Sequence, residues 1–232
     1  MNLPPNKFLQ SLSKGDFELL RPHLRSVKLE HSKVLFDQGD TIQEMYFPNT
    51  GAVSFVVPLS EGAFIEAGLV GCDGVVGTPA ALDGAKSLNR VVVQVEGEGF
   101  SISITNAKAA VTASRSLRAK LYQHDQLLLA QAQQSAACNA SHDVEERLCR
   151  WLLRTRDVVG SDKLDLTQEF IAQMLGVRRT SVTLAARHLQ TAGLIKYRRG
   201  HVEIRDVKGL EEASCECYEA VKRQEARMLS ED

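Results

Sequence analysis

The sequence predicts an α+β chain: short strands first, then one long helix, then a small helical domain closed by a hairpin. Three observations carry this. Ten of the 16 glycines lie between Gly39 and Gly99, and all six prolines lie at or before Pro79. Neither residue occurs from Phe100 to Val159, a stretch rich in Ala, Leu and Gln. After it, a glycine-punctuated helical pattern is followed by two short apolar runs around a basic tip. Short apolar runs between turn residues mean strands, and a long run without breakers means helix.

Composition sets the outer limits. With 232 residues, 44% of them hydrophobic and 25% charged, the chain can bury a core without disulfides. Disordered and fibrous classes are excluded. No apolar run approaches the ~20 residues of a membrane span. The start, Met1-Asn2-Leu3-Pro4-Pro5-Asn6-Lys7, lacks a signal-peptide core, so a cytoplasmic protein is expected. No Ser-His-Asp set, carboxylate pair, P-loop or GxGxxG is readable, so no enzyme is expected.

A small helix comes first, starting near Ser13 or Asp16 and burying Phe17, Leu20 and Leu24. Strands follow at Lys33–Phe36, Met45–Pro48, Ala52–Val57, Ala63–Val70, Arg90–Val95 and Phe100–Ile104. Turns are expected at Gly39-Asp40, Asn49-Thr50-Gly51, Ser60-Glu61-Gly62 and Glu96-Gly97-Glu98-Gly99. Strands so short and regular make a β-roll or jelly roll of two antiparallel sheets.

One unbroken helix is expected from about Ala107 to Cys138. Leu117, Leu121, His124, Leu128, Gln131, Ser135 and Cys138 repeat with 4-3 spacing, a heptad seam. The plain reading is one amphipathic helix lying on the barrel, but a second apolar set, including Leu127, Ala130 and Ala137, lies on another face, so one face can cover the barrel and the other meet a partner. A homodimer interface is expected at Leu117, Leu121, His124 and Leu128, with His124 and Gln131 either register devices or, the favoured reading, partly solvated positions. A hinge is expected at Asn139-Ala140-Ser141-His142. Asp143 then N-caps the next helix with Glu146 at N3, a capping box, and Val144, Leu148, Trp151 and Leu152 form its core stripe up to Gly160.

The functional signal lies in Leu166–Val182. Thr167 is an N-cap, Ala172 is small where helices cross, and Gly176 supplies the positive φ of a tight turn. Ile171, Leu175, Val182, Ala185 and Leu189 close a small core. This spacing is a helix-turn-helix with its second helix over residues 179–192. The outward stripe carries Arg179, Thr180, Thr183, Leu184 and Arg187, flanked by Arg178 and Ser181. Leu194–Tyr197 and Val202–Ile204 form the wing hairpin, with Arg198-Arg199-Gly200-His201 at its tip. From Arg178 to Arg205 seven basic residues face one acid, Glu203, a balance of +6 in a chain of net charge −1. The candidate DNA-binding residues are therefore Thr167, Arg178, Arg179, Thr180, Ser181, Thr183, Arg187, Arg198 and Arg199.

A β-roll, a long dimerisation helix and a C-terminal winged helix-turn-helix in this order resemble the Crp–Fnr family of bacterial transcription regulators. Val34-Leu35-Phe36-Asp37-Gln38-Gly39-Asp40 looks like the family's first β-roll motif. The resemblance implies a cyclic-nucleotide-binding-like sensor over 1–106, a dimerisation helix and hinge over 107–140, and a DNA-binding domain over 141–232. It also implies a homodimer on a near-palindromic double-stranded DNA operator, RNA polymerase as a partner, and no membrane.

The departures point away from cyclic AMP. Family members that bind it use a Gly-Glu pair and an Arg followed by a hydroxyl residue. This chain reads Gly74-Val75-Val76-Gly77-Thr78 and Asn89-Arg90-Val91. Gly77, Thr78, Arg90 and His124 are the candidate effector residues, and no cofactor is expected. In the recognition helix, Thr180 and Leu184 stand where many members carry Glu and Arg. The N-terminal cysteines of iron–sulfur members are absent. The five cysteines, Cys72, Cys138, Cys149, Cys215 and Cys217, read as structural thiols. Cys215-x-Cys217 on a helix would point its sulfurs apart, and Cys138-x-x-x-His142 would pair only if the helix ran past the expected break. A thiol- or metal-responsive sensor on Cys138, His142, Cys215 and Cys217 is the alternative reading.

Overall fold

The computed structural model describes residues 4–59, 64–84 and 86–230. The start of the chain through Leu3, the expected turn Ser60-Glu61-Gly62 and Ala63 lie outside the described residues. Two compact units form: residues up to 55 with 69–129, and 56–68 with the chain from 130 onward.

In the first unit, α1 (Lys7–Gln10) and α2 (Lys14–Leu20) precede the strands. Ser13 caps α2 as expected, accepting from the Asp16 amide at 3.1 Å. Phe17 and Leu20 are buried and Leu24 packs against the same core. The strands are β1 (Arg25–Leu29), β2 (Val34–Phe36), β3 (Glu44–Pro48), β4 (Ala52–Pro58), β5 (Phe64–Val70), β6 (Arg90–Val95) and β7 (Gly97–Ser103), with residues 56–58 of β4 and 64–68 of β5 assigned to the second unit. A short α3 (Thr78–Ala81) lies between β5 and β6. One sheet has the order β1-β7-β3, the other β2-β6-β4-β5. This is the expected β-roll.

Two local differences have simple causes. Strand β1 escapes the hydrophobic pattern because it is an edge strand whose only buried side chain is Leu29. Glu96–Gly99 is not a turn: residues 97–99 belong to β7 and pair with β1. Its glycines are there for close approach, since a Cβ on Gly99 would stand 2.3 Å from the Phe47 carbonyl oxygen.

The long helix is two helices. Ile104–Ala113 (α4) ends at Ser114, whose backbone is extended, and α5 runs from Arg115 to Ser141. The Ser114 hydroxyl accepts from the Leu117 amide at 3.1 Å and donates to the buried Asp16 carboxylate. A serine that caps a new first turn breaks the helix without glycine or proline. Burial alone would raise the Asp16 carboxyl, but hydroxyls of Ser114, Ser116 and Ser13 hold it below the usual range.

The predicted seam faces inward. Leu117 and Leu121 are 0% and 2% exposed, inside the core formed with Phe8, Phe47 and Ile102. Leu128 packs against the second cluster, with Val53, Val70 and Val91. His124 is buried rather than solvated: its Nε2 accepts from the Val75 amide at 3.1 Å and its ring meets Phe8 edge-on. Over Leu117, Leu121 and His124 the 4-3 repeat therefore records contact with the chain's own β-roll, and these three are too buried to serve as dimer residues, while Leu128 is half-buried.

In the second unit α5 continues to Ser141, and the His142 amide still bonds the Cys138 carbonyl at 3.0 Å. The expected hinge thus moves to His142–Asp143. The capping box of Asp143 and Glu146 opens α6 (Val144–Val159), whose Leu148, Trp151 and Leu152 are buried while Val144 is only half-buried. Trp151 Nε1 donates to Glu66 Oε1 at 2.9 Å. Then follow β8 (Lys163–Asp165), α7 (Gln168–Leu175), α8 (Arg179–Thr191), β9 (Ile195–Arg198), β10 (His201–Ile204), α9 (Val207–Glu212) and α10 (Cys217–Ser230). The third sheet has the order β8-β10-β9. Among the described residues, no helix is long and apolar enough to cross a membrane.

Candidate nucleic-acid interface

The helix-turn-helix is built as its spacing requires. Thr167 Oγ1 accepts from the Phe170 amide at 3.1 Å and starts α7. Gly176, at φ 63°, ends it, and the Val177 amide returns to the Ala172 carbonyl at 3.0 Å. Ile171, Leu175, Val182, Ala185 and Leu189 are all buried, which fixes how α8 is turned.

That turn decides what α8 presents. Arg178, Arg179, Thr180, Leu184 and Arg187 are exposed, and Ser181 is half-buried at the edge of the stripe. Arg179 lies 3.8 Å from Glu169, with both side chains well exposed, a pair worth little in water and readily exchanged for another acceptor. Thr183 is the exception. Its hydroxyl bonds Gln168 Oε1 at 2.8 Å and the Arg179 carbonyl at 3.0 Å, so it braces the two helices.

The wing is a two-residue hairpin. Arg198 and His201 are paired, and Arg199 and Gly200 at φ 49° and 84° form the loop. Two positive φ values in a two-residue connection match the right-handed strand twist. Arg198 and Arg199 are exposed there. Tyr197 anchors the wing, its hydroxyl donating to the Leu166 carbonyl at 2.9 Å.

Of the candidate effector residues, Arg90 and His124 already have partners within the fold. Arg90 is engaged by Asp37, its Nε 3.1 Å and 3.2 Å from the two carboxylate oxygens and its Nη2 closer still. That guanidinium holds the Asp37 carboxyl below its ordinary value. Gly77, at φ 94°, starts α3, and Thr78 is buried in its first turn. Asp125, beside His124, has its carboxyl pushed up to about 6 by burial, against a lowering hydrogen bond with Thr78. A cavity of about 350 Å³ lined by Leu35, Asp40, Gln43 and Glu44 among others includes none of the four.

The cysteines hold what sequence reasoning discounted. Cys138, His142, Cys215 and Cys217 converge, with all ligand atoms within 4.8 Å of one another. Two expectations failed. The helix does not break before His142, so the i, i+4 pair shares a face. Cys215 lies in the loop before α10 and Cys217 is its first residue, so the pair is not splayed by a helix. Burial pushes the Cys138 and Cys215 thiols up.

Comparison with known proteins agrees with this architecture. Residues 26–112 match the cyclic nucleotide-binding domain model and residues 146–213 the Crp-like helix-turn-helix domain model. No curated protein matches the chain. Among solved structures, FixK2 from Bradyrhizobium japonicum is 16% identical with TM-score 0.71, covering 83% of this chain and 98% of that one. A CRP/FNR-family transcriptional regulator from Thermus thermophilus is 22% identical with TM-score 0.65, covering 82% and 98%. The c-di-GMP-responsive global regulator CLP of Xanthomonas campestris is 18% identical with TM-score 0.66, covering 83% and 99%.

Proposed function

Because the chain belongs to the Crp–Fnr family of transcription regulators, we propose that it binds a near-palindromic operator as a homodimer, one α8 per half-site. Residues 1–106 serve as sensor, 107–140 as dimerisation helix and 141–232 as the DNA-binding part. RNA polymerase is the partner the family implies. The observation that carries the reading is the single outward face of α8. Its buried side is locked into the core, which leaves Arg178, Arg179, Thr180, Ser181 and Arg187 for the major groove. Thr167, at the start of α7, and Arg198 and Arg199, at the wing tip, dock phosphates. Thr183 acts by holding α7 against α8.

Dimerisation belongs to the other face of α5. Ala119, Tyr122, Gln126, Leu129, Gln133 and Ala136 are all exposed and repeat with 3-4 spacing. Tyr122 and Leu129 are large apolar side chains left 49% and 59% exposed. A second copy of the same helix would cover them as a heptad seam.

Selection of bound fragments from random DNA, followed by binding at several salt concentrations, tests the reading. A bidentate arginine–guanine contact is worth about 1–3 kcal/mol of discrimination. Arg179→Ala should weaken the selected site far more than scrambled duplex. Arg199→Ala should weaken both alike and lower the salt slope by about one ion. If Arg179→Ala lowers both affinities equally, α8 is not the reading helix. Thr180 and Leu184 make the selected half-site differ from the family's common one.

A further inference from the structure

The four convergent side chains come from three places: the last turn of α5 (Cys138), the residue just after it (His142), and the loop and first residue of α10 (Cys215 and Cys217). Cys138 and Cys215 sulfurs lie 3.5 Å apart, and Cys217 Sγ lies 3.7 Å from His142 Nδ1. A tetrahedral ion with zinc–sulfur bonds of about 2.3 Å and zinc–nitrogen bonds of about 2.0–2.1 Å sets these edges at about 3.8 and 3.5 Å. Two of the six edges already have the dimensions of one mononuclear site, and the remaining ones, all within 4.8 Å, need only small side-chain movements to close on an ion. The set is too tight for a multi-iron cluster, in which each sulfur binds a different iron.

The surroundings point the same way. His142 Nε2 lies 3.1 Å from Glu216 Oε2, so a carboxylate on the far side of the ring turns Nδ1 toward the sulfurs. Metal-bound histidines are oriented in this manner. The Gln134 side-chain amide donates to Cys217 Sγ at 3.0 Å, which fixes the position of that sulfur. Three thiolates around a divalent ion leave one negative charge. Arg147 and Arg150 are close enough to the cysteines to offset it. All three cysteines are at most 4% exposed.

We propose that Cys138, His142, Cys215 and Cys217 form a closed Cys3His zinc site that fastens the start of α10 to the end of α5. Four protein ligands leave no open position, so the ion is structural or regulatory rather than catalytic. Its binding energy goes into ordering the C-terminal segment, and its removal frees that segment from the helix. The site stands independently of the DNA-binding reading, since its test needs no DNA.

The full-length protein, made without a histidine tag, is stripped by chelator under reducing conditions and titrated with Co²⁺ and then Zn²⁺. One ion per chain is expected, with intense visible bands of tetrahedral cobalt and sulfur-to-cobalt charge transfer, both abolished by zinc. Cys217→Ser should weaken the charge-transfer band. Because changes at these buried cysteines can prevent folding, His142→Gln is the decisive variant: half-buried at the rim, it should keep its circular dichroism and lose at least ~10-fold in zinc affinity. Cys72→Ser, outside the cluster, should bind as the parent does. A weak octahedral cobalt spectrum overturns the proposal. So does an unchanged affinity in His142→Gln, or a reduced protein that takes up no metal and reoxidises to a Cys138–Cys215 disulfide.

Discussion

Replacing Leu129 by Glu separates an interface between copies from a core within one copy. Leu129 is 59% exposed in the single chain. Fully burying a leucine is worth about 1.5–3 kcal/mol. Covering the exposed part therefore contributes ~1–2 kcal/mol per chain and, across a twofold axis, ~2–4 kcal/mol per dimer. Losing that raises the dimer dissociation constant by about 30- to 1,000-fold, and two carboxylates brought together add to it. The exposed position leaves the folded monomer nearly unaffected. Leu121→Ala is the counterpart: at 2% exposure it opens a cavity in the β-roll and costs about 2–5 kcal/mol of stability. Sedimentation velocity over a range of concentrations and urea unfolding measure the two effects. A Leu129→Glu protein with the parent's dimer dissociation constant refutes the outward seam. A Leu121→Ala protein that loses dimers while keeping its unfolding free energy restores the inward one.

Three other outcomes are expected. The Asp125 carboxyl sits at about 6 in the fold against an ordinary value of 3.8, so the folded state keeps its proton longer as pH rises. Stability then declines between about pH 4 and 6 by up to ~3 kcal/mol; Asp125→Asn should flatten this decline in urea titrations, and an unchanged slope would place its origin elsewhere. Gly176→Ala forces a side chain into φ 63° and sets its Cβ 2.9 Å from Ile65 Cδ1, so a loss of about 1–2 kcal/mol is expected, with melting unchanged as the contrary result. Cyclic AMP should show no micromolar binding by calorimetry, because the Arg90 guanidinium is already taken by Asp37; binding that Arg90→Ala abolishes would reverse this.

The sequence was most legible where one residue type has one local use. Gly176, Gly160 and Gly193 all take positive φ, Thr167 and Asp143 cap as expected, and the buried set of α7 and α8 follows from its spacing. Legibility failed where a pattern serves two partners equally well. The Leu117–Leu121–Leu128 repeat says that something apolar lies against α5, but a β-roll and a second helix leave the same trace. The metal-type cluster failed for another reason. Its halves are 73 residues apart, from His142 to Cys215, and no local spacing encodes where α10 returns. Ser114 shows a third limit: a serine is common inside helices, and only Asp16, far off in sequence, makes it a break.

Trp151 is the chain's only tryptophan, 3% exposed and donating its indole proton to Glu66. Both residues belong to the unit made by 56–68 and the chain from 130 onward. The molecule thus carries one tryptophan fluorophore, and the other unit has none. Tryptophan emission reports on the helix-turn-helix side alone, while far-ultraviolet circular dichroism sums both. Melting curves from the two signals coincide if the units unfold together and part if they do not. The distance between the curves then measures the cooperativity of the whole chain, with no label attached and no residue changed.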